Sequence, residues 1–106
     1  MTQTKEMTQF AELTDKQLTF IERLQIGDAF VTKEQADVID EVLGLEGMTR
    51  EELTAVRNSV VKHLSTLASV MRDIGSMKSY YHYHNAMSGI VTVIDSHAYV
   101  DCYFRA

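Results

Sequence analysis

The sequence predicts an all-α domain, on three observations. The chain of 106 residues contains no proline and five glycines, so little in it interrupts a helix. Thr14, Thr32 and Thr49 each open a T-x-x-[EQ] signature, and each signature is followed by a glycine stop. From Thr49 to Ile74 the chain then runs without glycine or proline. Leu53, Val56, Val60, Leu64, Leu67, Met71 and Ile74 recur there at steps of three and four, which places them on one stripe of a helix. At a rise of about 1.5 Å per residue that helix is about 37 Å long, the width of a small domain. A single helical domain over residues 1–106 is expected, with helix 49–74 as its long central element.

Residues 1–12 show weak periodicity and no stop signal, and read as a lead-in or a short first helix. Thr14 is the expected N-cap of the next helix, with Gln17 as its capping-box partner. Leu18, Ile21, Leu24 and Gln25 continue at helical spacing, Phe20 flanks the stripe, and Gly27 is the expected stop. Thr32 and Gln35 repeat the device; Val38, Ile39, Val42 and Leu43 form the apolar face, and Gly44 ends that helix. Leu45 to Met48 make a tight connection. Thr49, with Glu52, opens the long helix, which Gly75-Ser76 breaks. Beyond Lys78 two apolar series overlap: Tyr83, Ala86, Ile90, Val93, His97, Val100, Phe104, and Tyr80, His84, Met87, Val91, Ile94, Ala98.

A helix carrying both series is apolar over roughly half its surface, so it belongs in the middle of a bundle or at an oligomer interface. The expectation is a final, mostly apolar helix antiparallel to the long one, and a homodimer or other homo-oligomer. A β-hairpin at 90–104 is the alternative, because Ile90 to Ile94 and Tyr99 to Phe104 are rich in strand formers. The intervening Asp95-Ser96-His97 lacks the Asn-Gly or Asp-Gly of tight hairpins, which favours the helix. Gly89 costs a helix about 1 kcal/mol relative to alanine, which suggests that another helix approaches there.

No apolar run approaches the roughly 18 residues of a membrane helix, and no secretory signal is visible after Met1. The single cysteine, Cys102, excludes an internal disulfide framework and suits a reducing, cytoplasmic setting. The net charge is −5, unevenly spread. Residues 1–48 hold four bases and ten acids, whereas residues 49–106 hold six bases and five acids. Long-range attraction of the front half to phosphate is unfavourable, so nucleic acid is disfavoured and a basic protein surface is favoured.

Two clusters stand out as candidate partner-binding residues. Glu34, Asp37 and Glu41 share one helical face, Asp40 borders it and Glu46 follows; no base interrupts between Lys33 and Arg50. This run suits a basic partner, although a solvated outer face has the same pattern. The stretch SYYHYHN, Ser79 to Asn85, sets Tyr80, Tyr81, Tyr83 and His84 close together. Tyrosines give large rigid contact area at interfaces and can also stack on bases; half-buried rings with wet hydroxyls are the plain alternative.

No zinc-type spacing is present, and a site would need His82, His84, His97 and Cys102 to converge. No metal or cofactor is expected. Neither the serines nor Cys102 carry a nucleophile signature, and there is no glycine-rich phosphate loop, so an enzyme is not expected.

Two stretches carry resemblances. LTDKQLTFIERL, Leu13 to Leu24, resembles the opening of the small terminase subunits of tailed phages. The alanine-rich helix-turn-helix continuation of those proteins is replaced here by GDAFVTKEQADVIDEV, and the DNA-binding role is not carried over. NAMSGIVTVIDSHAY, Asn85 to Tyr99, is similar in style to helices of short phage-encoded accessory proteins. That likeness implies a small acidic phage protein, often an inhibitor of a host factor. The leading expectation is a cytoplasmic protein–protein interaction module that blocks a host protein's basic or nucleic-acid-binding surface. The rivals are a nucleotide or small-ligand binder using the Tyr/His cluster, and a helix-turn-helix DNA binder over residues 14–43.

Overall fold

The computed structural model describes residues 10–27 and 31–98. These form four helices, α1 Asp15–Arg23, α2 Lys33–Leu43, α3 Arg50–Asp73 and α4 Met77–Ala98, with no strand among the described residues. The all-α reading therefore holds, and Ile90 to Ala98 are helical rather than one arm of a hairpin. Residues 99–104 of the hairpin alternative lie outside the described residues, as do residues 1–9 of the lead-in.

All three threonine signatures are capping boxes. Thr14, Thr32 and Thr49 each accept from the backbone N–H three residues on, and Gln17, Gln35 and Glu52 accept in return from the cap N–H. The long helix ends in a Schellman arrangement. Gly75 donates to the Arg72 carbonyl at 3.0 Å and Ser76 to the Met71 carbonyl at 2.8 Å. Gly75 has φ +83°, a conformation that favours glycine. That turn sends α4 back along α3. The hairpin is antiparallel, since Arg57 near the start of α3 meets Asp95 near the end of α4 at 3.2 Å, and Arg50 donates to the Ala98 carbonyl at 3.2 Å.

α1, α2 and their connections lie on one face of this hairpin. Ile21 from α1, Ile39 from α2, Leu45 from the loop, Val60 and Leu64 from α3, and Ile90 and Ile94 from α4 are fully buried. Each such side chain contributes about 1.5–3 kcal/mol of transfer free energy, so the core draws on every element. The α3 stripe is buried from Leu53 to Leu64, half-buried at Leu67 and Met71, and 68% exposed at Ile74, where the hairpin runs beyond its cover.

Several expectations need correction. α1 stops at Arg23 rather than continuing to Gly27, because Leu24 turns to extended backbone at ψ 123°. The extended stretch carries Ile26 into the core, where it is 5% exposed. Phe10 to Glu12 are not helical; Ala11 instead donates to the Ala55 carbonyl and accepts from Ser59 Oγ, so the chain lies along α3. Val38 is 43% exposed, leaving Ile39 and Leu43 as the buried face of α2. At Gly89 the close neighbour is the α1–α2 connection, not a helix. A Cβ there would overlap Ile26 Cδ1 and stand 2.8 Å from Val31 Cγ2.

The broad apolar surface of α4 is also used within the chain. One flank meets Ile26, Val31 and α1, and the other, with Met87, Ile94 and Ala98, lines α3.

Candidate functional site

The acidic candidates assemble around α2. Asp37, Asp40 and Glu41 from the helix and Glu46 from the following loop line one shallow depression of about 240 Å³ with no base among its lining residues. Gly44 ends α2 and the chain reverses through Leu45, whose N–H donates to the Asp40 carbonyl at 3.1 Å, and this brings Glu46 alongside the helix. Glu46 is thus a fourth carboxylate of the surface; it belongs to the acidic run, but its position depends on a turn that helical spacing does not describe. Glu34 sits in the first turn of α2, exposed and outside the depression.

Asp40 differs from its neighbours. His97 Nε2–H donates to its carboxylate at 2.8 Å, tying α2 to the end of α4. Part of its role is therefore structural, while Asp37, Glu41 and Glu46 are exposed.

The aromatic candidates divide. Tyr83 packs against the core, and His82 Nε2–H donates to the Glu22 carbonyl at 2.7 Å, capping an open backbone acceptor in the last turn of α1. Tyr80 and His84, one turn apart, stack at 5.9 Å with 15° between their planes. They share a depression with Ser65, Ala68, Ser69, Arg72 and Met87. Tyr81 is 54% exposed, touches Tyr80 edge-on at 5.1 Å and does not line that depression. Tyr80, Tyr81, Tyr83 and His84 thus do not form one surface. Nor do they join the acidic one: Tyr80 and the Asp40-bonded His97 lie about 25 Å apart along α4.

Histidines pin both short helices to the hairpin. Besides His82 and His97, His63 Nε2–H donates to the Glu22 carboxylate at 2.6 Å. His82 and His97 are about 22 Å apart on one helix, and no group of three or more potential metal ligands occurs among the described residues. None of the described helices is long and apolar enough to cross a membrane.

These features define a small all-α bundle bearing a carboxylate-lined surface at one end. No family model matches the chain, and no curated protein or solved structure matches it.

Proposed function

We propose that the protein is a non-enzymatic, cytoplasmic protein–protein interaction module that presents its α2 surface to a basic protein. The observation that carries this reading is the gathering of Asp37, Asp40, Glu41 and Glu46 into one concave surface without a base. Four carboxylates drawn together repel one another, and a cationic partner relieves that repulsion. Such a surface also raises the encounter rate with a positive target. Glu34, exposed in the first turn of α2, adds a further negative charge on the same helix. A host protein's nucleic-acid-binding face has the required sign, which suits a phage-encoded inhibitor. Self-association belongs to the same proposal; the exposed Val70 and Ile74 near the hairpin turn offer apolar area for it.

The test is capture from a nuclease-treated bacterial lysate with wild-type protein and with a D37K/E41K/E46K variant. Asp40 is left intact because it holds α4. A basic protein retained by the wild type and lost by the variant supports the reading. A partner held equally by both contradicts it.

A further inference from the structure

The depression between the end of α3 and the start of α4 has a chemistry opposite to that of the acidic surface. It encloses about 230 Å³ and is lined by Ser65, Ala68, Ser69, Arg72, Tyr80, His84 and Met87. Five of these seven side chains carry N–H or O–H groups, and none is a carboxylate. Asp73 follows Arg72 in sequence but is not among the lining residues. In a chain of net charge −5, a cleft whose only charged lining residue is an arginine runs against the overall balance.

Most of its donors are also unspent. Ser65 Oγ donates to the Lys62 carbonyl at 3.3 Å, a long bond that is easily exchanged. The Arg72 guanidinium, the Ser69 and Tyr80 hydroxyls and the His84 ring nitrogens make no hydrogen bond or ion pair among the described residues. Arg50 and Arg57, by contrast, are engaged with Ala98 and Asp95. Beside the donors, the Tyr80–His84 stack supplies an aromatic platform, with His84 exposed.

We propose that this depression binds a mononucleotide. Arg72, with Ser65 and Ser69, receives the phosphoryl group, and the Tyr80–His84 stack receives the base. A phosphoryl group offers several strong acceptor oxygens, which matches a guanidinium flanked by hydroxyls better than a single carbonyl does. Base stacking on aromatic rings tolerates any base, so phosphate recognition supplies most of the selectivity. The site shares no residue with the acidic α2 surface, so either proposal stands or falls without the other.

The test is a 15N NMR titration of the full chain with AMP, adenosine and inorganic phosphate, repeated with Arg72→Gln. Arg72 is exposed, and an unchanged spectrum away from the cleft shows that the variant is folded. The proposal expects AMP at millimolar concentration to shift the amides of Ser65, Ser69, Arg72 and His84. It expects phosphate to compete and R72Q to bind about tenfold more weakly or worse, the loss of a charge-assisted hydrogen bond. Absence of shifts at millimolar AMP overturns it. So does adenosine binding as well as AMP, or R72Q binding unchanged.

Discussion

The side-chain amide nitrogen of Gln17 donates to the carbonyl of Val42 at 3.1 Å, while the other end of the same amide accepts from the N–H of Thr14 at 2.9 Å. One side chain thus closes the start of α1 and satisfies a carbonyl in the last turn of α2. Gln35 does the same, accepting from the Thr32 N–H and donating to the Gln25 carbonyl at 2.8 Å. Glu52, in the third capping box, accepts from the Thr49 N–H at 2.8 Å, and as a carboxylate it has no donor to offer a second element. Glutamine thus serves the cap and a second segment at two boxes, whereas glutamate serves the cap at the third.

Replacement of Gln17 or Gln35 by glutamate should therefore keep the cap and lose the bond between elements. Q17E also sets a negative charge against the carbonyl end of α2. Urea denaturation should show a loss of about 1–2 kcal/mol for Q17E and no more than about 0.5 kcal/mol for E52Q. Equal effects would remove the dual role.

Glu22 is held twice, by its carboxylate and by its carbonyl. A double-mutant cycle between Glu22→Ala and His63→Ala should give a coupling of about 0.5–1 kcal/mol, modest because both groups are partly exposed. The corresponding cycle with His82→Ala should show almost none, since His82 bonds to the backbone, which Glu22→Ala retains.

Gly89→Ala sets two effects against each other. Alanine favours the helix by about 1 kcal/mol, whereas overpacking against Ile26 and Val31 costs about 1–3 kcal/mol. The single variant should be neutral to destabilised. Ile26→Val removes Cδ1, the nearest clashing atom, so adding Gly89→Ala to that background should be more favourable than adding it to the wild type. Identical increments in the two backgrounds would contradict the contact.

The acidic residues should separate by stability. Asp40→Asn weakens the tie to His97 and should cost about 1 kcal/mol. Asp37→Asn and Glu41→Gln change exposed groups and should stay within about 0.5 kcal/mol of the wild type, or gain slightly from reduced repulsion. Thermal or urea unfolding of the three variants distinguishes these cases.

Local rules made the helical elements legible. Capping boxes act within four residues, and the stripe Leu53 to Leu64 is a matter of spacing, so both could be read from sequence alone. The exit from α1 was not legible. Leu24 and Gln25 fit the helical period, but the helix ends at Arg23 and Leu24 turns extended, which lets Ile26 fill the space beside Gly89, a residue more than sixty positions further on. The candidate sites show the same limit. Asp37 and Glu41 share a face by periodicity, whereas Glu46 joins them through a turn. SYYHYHN was conspicuous as a cluster, yet its members face different neighbours. The partners of Tyr80 and His84, namely Ser65, Ser69 and Arg72, are set by the register of the hairpin. Arg72 and Tyr80 are equidistant from Ser76, as are Arg57 and Asp95, so the register becomes readable once Ser76, just after the turn at Gly75, is taken as the pivot.

The most direct measurement of the central claim is the affinity of the captured basic partner for wild-type protein and for D37K/E41K/E46K, by titration calorimetry at low and moderate salt. Charge reversal should weaken binding by about tenfold or more at low salt, and added salt should narrow the difference. Equal affinities for the two proteins at both salt concentrations would contradict it.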